Sequence, residues 1–312
     1  MNKKVLISVV ILAAILVVGL ALTGGREEFS DEKLQITASF YPLAELAEEI
    51  GRDKVEVTTM VPAGTEPHDY EPTARDRVVL QNSEIFIFNG AGLEPWVDRI
   101  LPDLTKITVI DASKSFDSTS LLLVTAEEKQ SNNTLFDPHF WLDPVLTQQI
   151  ANNIAQKLSN IDSENSSYYK ENAISYSEKL SDLDNEFRQT LISNCQKEDI
   201  VTSHSAFAYL AKRYEFNQIP IAGFSEEEPS PAHLSKISEL ALEKDIKYIF
   251  FETLVNPNLS ETIAREVGAT TLVLNPIEGL TSAEKKQGED YISLMEKNLI
   301  NLKIALECYE SR

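Results

Sequence analysis

The chain is short of bases, cysteines and histidines. Lys and Arg number 28 against 49 Asp and Glu, for a formal net charge of −21. A nucleic-acid binder shows a basic stripe, and docking on anionic lipid needs basic clusters, so this balance argues against both. Two cysteines build neither a disulfide scaffold nor a thiolate metal cluster. Only four histidines occur in 312 residues, so each can be judged singly. What is present is ordinary: 43% hydrophobic and 25% charged residues, enough for a real core.

Residues 1–25 differ from the rest. Lys3 and Lys4 precede a run from Val5 to Leu22 that only Ser8 and Gly19 interrupt. Its length is near the minimum for a bilayer span and long for a signal-peptide core. The leading bases place the N-terminus inside and the remainder outside. Either a cleaved signal or an uncleaved anchor exports the protein, and the lack of a clean Ala-x-Ala site favours the anchor. No cysteine stands near the end of the run, which excludes a bacterial-type lipid anchor. Export permits a disulfide, and the sequence leaves the pairing of Cys195 with Cys308 open.

Beyond this segment the pattern alternates. Strands are expected at Leu34–Ser39, Val55–Val61, Ile85–Phe88 and Ile107–Ile110, with helices between them at 42–51, 73–82 and 94–104. Apolar strand runs alternating with helices imply parallel sheets covered on both faces. Residues 112–136 break the alternation as a polar loop, after which Asp143-Pro144 opens a helix through Leu158, with Asp143 as its N-cap. A long polar helix follows at 163–194, with one narrow apolar stripe of Tyr168, Ala173, Ile174, Tyr176, Leu180, Leu183, Phe187 and Leu191. At 1.5 Å per residue it would reach about 45 Å, longer than one small lobe, so it reads as a rigid connector. Alternation then resumes, with strands at Asp199–Thr202, Gln218–Ala222, Ile246–Phe251 and Thr271–Leu274, and one last helix over 283–309. The fold expected is α/β: two lobes, each a parallel sheet flanked by helices, joined by one long backbone helix. The divisions are an N-terminal signal or anchor at 1–25, a first lobe at 33–160, the linking helix at 161–195 and a second lobe at 196–312.

Ligands of open parallel sheets bind beyond the carboxyl ends of the strands. His68 lies in the loop after the second strand, His204 directly after the first strand of the second half, and His139 just before a helix. Three imidazoles converging between two lobes suit zinc, which takes nitrogen ligands at ~2.0–2.1 Å. His233 falls in the first turn of a helix and reads as solvent-exposed. A tetrahedral site needs a fourth ligand, and the candidates are Glu66, Glu252, Asn275 and Glu278.

These residues sit in longer signatures. They are Ala38-Ser-Phe-Tyr-Pro-Leu43, Pro62-Ala-Gly-Thr-Glu-Pro-His68-Asp-Tyr-Glu-Pro-Thr73, Phe88-Asn-Gly-Ala-Gly-Leu-Glu-Pro-Trp96, Asp137-Pro-His139-Phe-Trp-Leu-Asp-Pro144, Ser203-His204-Ser-Ala-Phe-Ala-Tyr209 and Glu228-Pro-Ser-Pro231. With them the chain resembles the solute-binding proteins of zinc and manganese ABC transporters, from about Gln35 to the C-terminus. The resemblance implies metal held in the interlobe cleft by His68, His139 and His204. Manganese members often carry a glutamate at the third position, so three histidines look more like zinc-binding members. The family's fourth ligand is commonly an aspartate in a Leu-Asp-Pro stretch, which here reads Leu274-Asn275-Pro276. That departure leaves water, Glu66 or Glu278 for the role. Many zinc-type members also carry a His-rich loop; the 112–136 loop holds no histidine, so a metal-collecting role for it is unsupported.

The expectation is therefore a monomeric, non-enzymatic extracytoplasmic receptor, at the cell surface or in the periplasm. It captures zinc, or manganese, and hands the divalent ion to an ABC permease, with no nucleic-acid partner and its N-terminal segment in the membrane. An exported zinc hydrolase and a surface adhesin are the competing readings. The hydrolase lacks a His-Glu-x-x-His spacing, and the adhesin leaves three placed histidines without a purpose. With one long helix as connector, the lobes are expected to rock slightly rather than close widely.

Overall fold

The computed structural model describes residues 33–124, 136–223, 229–254 and 257–309. The N-terminal apolar run and part of the polar loop lie outside the described residues. Among the described residues, no helix is long and apolar enough to cross a membrane.

The first half runs β1 (Leu34–Ala38), α1 (Tyr41–Gly51), β2 (Val55–Thr59), α2 (Ala74–Gln81), β3 (Ile85–Phe88), α3 (Val97–Ile100) and β4 (Thr108–Asp111). Two helices follow, α4 (Pro144–Ile161) and the long α5 (Ser166–Leu191). The second half runs β5 (Asp199–Thr202), α6 (Ala208–Tyr214), β6 (Asn217–Pro220), α7 (Pro231–Glu243), β7 (Tyr248–Phe251), α8 (Asn258–Val267), β8 (Thr270–Val273), α9 (Ser282–Gln287) and α10 (Tyr291–Ala305). The sheets have matching orders, β2-β1-β3-β4 and β6-β5-β7-β8, and every pairing is parallel. In each sheet the strand order reverses beside the first strand, which opens a crevice there for a ligand. The β3 segment Ile-Phe-Ile-Phe is buried throughout, as a central strand covered on both faces must be.

Local chemistry sets the helix ends. Asp143 accepts hydrogen bonds from the backbone N–H of Val145 and Leu146, and Pro144 takes the first turn of α4. Thr73 and Asp76 form a capping box on α2. The expected single C-terminal helix is two: Gly288, at φ +72°, closes α9 in the left-handed conformation, and Asp290 with Ser293 caps α10 afresh.

The long helix has 26 residues and so spans about 39 Å, somewhat less than its expected reach. Its buried stripe is Tyr169, Ala173, Tyr176, Leu180, Leu183, Phe187 and Leu191, while Ile174 is exposed. The stripe thus begins at Tyr169, not Tyr168, because the Tyr169 hydroxyl reaches Asp162 and the Tyr168 hydroxyl bonds the surface residue Asp53. Along α5 a single apolar cluster continues from Ile36 of the first sheet to Leu306 beyond α10. Two smaller clusters cover the outer faces, around Phe86 and Trp96 in the first half and around Ile249 and Ile263 in the second.

Polar ties cross between the halves. Arg213 of α6 pairs with Asp143 at the start of α4, and lies 3.8 Å from Asp184 of α5. The buried Glu45 of α1 accepts the N–H of Tyr291 at the start of α10, at 2.9 Å and 3.0 Å, and hydroxyls from Tyr41 and Tyr176. Glu94 does similar work within the first half. It accepts Ser39 Oγ–H and the N–H groups of Asn89 and Gly90, joining the ends of β1 and β3. Gly90 is required there: its φ is +77°, and a Cβ would fall 2.3 Å from the Asp111 side chain. Cys195, after α5, is disulfide-bonded to Cys308, after α10.

Two predictions follow from these ties. Burial pushes the carboxyls of Glu45 and Glu94 up to about 7, although hydrogen bonds from Tyr41 and Tyr291, and from Ser39 and Asn89, oppose it. The folded chain therefore holds protons that the unfolded chain has released. Stability must fall as pH rises from about 4.5 to 7, by about 2–4 kcal/mol per group. Chemical denaturation across pH 5 to 8 should show a shallower slope for Glu45→Gln and for Glu94→Gln than for the parent. The disulfide closes a sequence separation of 113 residues. A chain carrying Cys195→Ser and Cys308→Ser should lose about 3–5 kcal/mol in the same assay, and an unchanged denaturation midpoint would contradict that.

Candidate metal site

Four segments approach one another beyond the strand ends. His68 stands in the loop between β2 and α2, which is braced by a hydrogen bond from the Tyr70 hydroxyl to Asp76 at 2.7 Å and by an Arg99–Glu71 ion pair. His139 stands immediately before a 3-10 turn at Phe140–Leu142. Asn89 donates to the carbonyl of the preceding Pro138 at 2.9 Å, and the Tyr209 hydroxyl to that of Asp137 at 2.9 Å. His204 follows β5; its carbonyl accepts from Thr202 Oγ1 and Gln218 Nε2, at 2.8 Å and 2.7 Å. Glu278 ends the turn after β8.

Their donor atoms converge. His68 Nε2 lies 3.1 Å from His139 Nε2, and His204 Nε2 lies 3.4 Å from His139 Nε2. Glu278 Oε1 is 3.7 Å, 3.5 Å and 3.9 Å from the Nε2 atoms of His68, His139 and His204. The four atoms all lie within 4.8 Å of one another. A tetrahedral ion with ligands at ~2.0–2.1 Å needs neighbouring donors about 3.3–3.4 Å apart, and these separations bracket that edge. His139 and Glu278 are buried, whereas the His68 side chain keeps 16% exposure.

The far nitrogens of His139 and His204 are engaged as well. His139 Nδ1 is 2.7 Å from Asp137 Oδ1, which also accepts the His139 backbone N–H at 2.9 Å. His204 Nδ1 is 2.6 Å from Glu252, which also accepts its backbone N–H and the Ser203 hydroxyl. A carboxylate on Nδ1–H fixes the orientation of these two rings and leaves each Nε2 facing the common centre.

The electrostatics record strong coupling. Burial lowers His139, but the charge and hydrogen bond of Asp137, with Glu278 adding to them, raise it to about 9. Burial also lowers His204, and Glu252 outweighs it, for a net rise. For His68 burial wins over Glu278, and the imidazole is pushed down. Burial alone would raise the Glu278 carboxyl; the imidazoles of His139 and His68 beside it, with Glu66, hold it well below the usual carboxylate range.

The residues singled out in the sequence divide clearly. His68, His139, His204 and Glu278 are brought together, and Glu66 and Glu252 are not part of that group. Glu66 acts on the Glu278 carboxyl from beside it, and Glu252 orients His204. Asn275 is buried but turned aside: its Oδ1 accepts the Ile277 N–H at 2.8 Å and its Nδ2 donates to Glu284 at 3.0 Å. His233 is exposed at the start of α7. The orienting role of Asp137 was not read from the sequence, although its place two residues before His139 is a usable signal.

A family model described as zinc-uptake complex component A, periplasmic, matches residues 36–305. The chain belongs to that family. The high-affinity zinc uptake system protein ZnuA of Bacillus subtilis is 37% identical over 299 residues, covering 92% of this chain and 92% of its own. The zinc-binding lipoprotein AdcA of Streptococcus pneumoniae is 37% identical over 287 residues, 89% of this chain, which spans 57% of AdcA. The crystal structure of the Zn(II)-bound ZnuA-like domain of that AdcA superposes with a TM-score of 0.76 at 36% identity, over 88% of this chain and 100% of the domain. As a member of the zinc-uptake component family, the chain has the fold of a solute-binding receptor.

The pairing of carboxylate and imidazole is testable without any ion. In the metal-free protein the His139 ring should titrate near 9, followed by imidazole NMR. Asp137→Asn removes the main raising influence and leaves burial, so the same resonance should titrate well below that value. A resonance that does not move would show that Asp137 does not hold the ring.

Proposed function

We propose that this chain is an extracytoplasmic receptor that captures zinc and delivers it to the permease of an ABC importer. His68, His139, His204 and Glu278 are its ligands in this reading. Residues 33–160 and 196–312 form the two lobes, 161–195 link them, and the N-terminal segment carries export and membrane attachment. The carrying observation is the quartet of three imidazole nitrogens and one carboxylate oxygen, all within 4.8 Å of one another. Membership of the zinc-uptake component family supports it.

The donor set favours zinc over manganese. Imidazole nitrogen suits zinc, whereas manganese prefers octahedral sites rich in oxygen. A fourth protein donor also closes the tetrahedron, as in a site that holds an ion rather than activates a water on it. Charge balance agrees: Glu278, Asp137 and Glu252 supply buried negative charge that a divalent cation offsets.

Zinc titration of metal-free protein, read by thermal unfolding and by competition with a chromophoric chelator, tests this. Zinc at 1,000 times its Kd should add about 4 kcal/mol of stability. His68→Ala, His139→Ala, His204→Ala and Glu278→Ala should each lose most of that gain, and manganese should give a smaller one. Full zinc-dependent stabilisation in all four variants would sink the ligand assignment.

A further inference from the structure

We propose, resting on the zinc reading above, that Trp141 is a positioning residue of the metal site. It ties the loop that carries Glu278 to the segment that carries His139, and so sets the preference for a small tetrahedral ion.

Trp141 is completely buried in the 3-10 turn directly after His139. Its ring packs against the His139 imidazole, with centroids 5.2 Å apart, and against Phe40 at 4.8 Å. Its Nε1–H donates to the carbonyl of Pro276 at 2.7 Å. Pro276 lies in the second half of the chain, two residues before Glu278. One side chain therefore touches a ligand of the first lobe and holds the backbone leading to a ligand of the second.

That backbone needs holding. Ile277, between Pro276 and Glu278, has φ +58° and is fully buried. A β-branched residue in the left-handed region is strained and persists only where its surroundings fix it. Here each step of the turn is fixed. Asn298 of α10 accepts the Asn275 N–H at 2.8 Å and donates to the Asn275 carbonyl at 2.7 Å. Asn275 Oδ1 accepts the Ile277 N–H. Those ties belong to the second lobe; the indole supplies one from the first. Its own position is secured as well, because the Trp141 carbonyl accepts from Thr147 Oγ1 at 2.9 Å and from the Tyr291 hydroxyl at 2.7 Å.

Without the indole N–H, the Pro276 carbonyl loses its partner in the interior and the turn can relax away from the first lobe. Glu278 then retreats from the imidazoles, the tetrahedron opens, and water can join the ligands. More oxygen and a higher coordination number favour manganese at the expense of zinc.

The test is Trp141→Phe, which keeps an aromatic ring and removes the donor. Zinc and manganese dissociation constants are measured by chelator competition, alongside thermal midpoints of the metal-free and zinc-loaded chains. Zinc affinity should fall about 10–100-fold, the range for partners that orient a metal ligand, and manganese affinity much less. A purely structural role would lower both midpoints together and leave the zinc-to-manganese ratio unchanged. If Trp141→Phe does not fold, benzothienylalanine at position 141, with sulfur in place of N–H, removes the donor at constant shape. Zinc affinity and metal ratio within twofold of the parent, while His139→Ala and Glu278→Gln lose zinc, overturns the positioning role alone. If His139→Ala and Glu278→Gln also keep zinc, the site assignment fails and the positioning role falls with it.

Discussion

In the proposed site, four donors from four separate loops must sit close to a tetrahedron's edge apart, and two of them come from each half of the chain. That spacing is the constraint on which the rest of the structure depends. Imidazoles and a carboxylate gain nothing apolar by meeting, so the packing around them must impose the distance. The continuous core along α5 does this at long range, from Ile36 to Leu306. At short range the work falls to one ion pair and single hydrogen bonds across the lobe boundary: Arg213 with Asp143, then Tyr291 on Glu45, Tyr209 on Asp137 and Trp141 on Pro276. A wide hinge would have to break all of them together. Such a frame suits slight rocking about a spacing that is already set.

Holding the rings is a separate problem from holding the lobes. An imidazole can rotate or exchange tautomers, and either would turn its lone pair out of the site. Asp137 and Glu252 remove that freedom for His139 and His204, each by gripping the ring and its own backbone N–H with one carboxylate. His68 is the least buried of the three and the one whose ring burial pushes toward the neutral form. The site thus joins two preset donors to one that is more exposed, and Glu278 faces all three.

Much of this was legible in the chain because its signals are local. The β-strands are short apolar runs between turn residues, and the three histidines sit just past strand ends or before a helix, where sequence order and spatial order agree. The helix split at Gly288 was equally local: residues 284–290 carry no apolar side chain, and Asp290 and Ser293 mark a new start. Tyr169, four residues before Ala173, is in step with the stripe and Tyr168 is not, so the helical period favours Tyr169; the hydroxyl partners Asp162 and Asp53 agree with it. The fourth donor was the least legible. Glu66, Glu252, Asn275 and Glu278 all stand near strand ends, and nothing in their spacing ranks them. The choice is made by a turn held from α10 and from the indole of Trp141, which are remote in sequence.

The acid surplus looks different once these positions are known. A net charge of −21 suggests that the protein gathers cations in bulk, yet exposed carboxylates such as Asp53, Asp117 and Asp245 only bond neighbouring hydroxyls, backbone N–H groups and lysines. Solvated charge of this kind steers ions weakly and is screened within about a Debye length at ordinary salt. Burial changes what a carboxylate does. In the interior Glu45 and Glu94 join elements, Asp137 and Glu252 aim imidazoles, and Glu278 stands open to three ring nitrogens. All five have the chemistry of the residues on the surface. Their different roles come from the loss of water, which makes each accept whatever donor the fold brings within reach, and at Glu278 the fold brings the histidines.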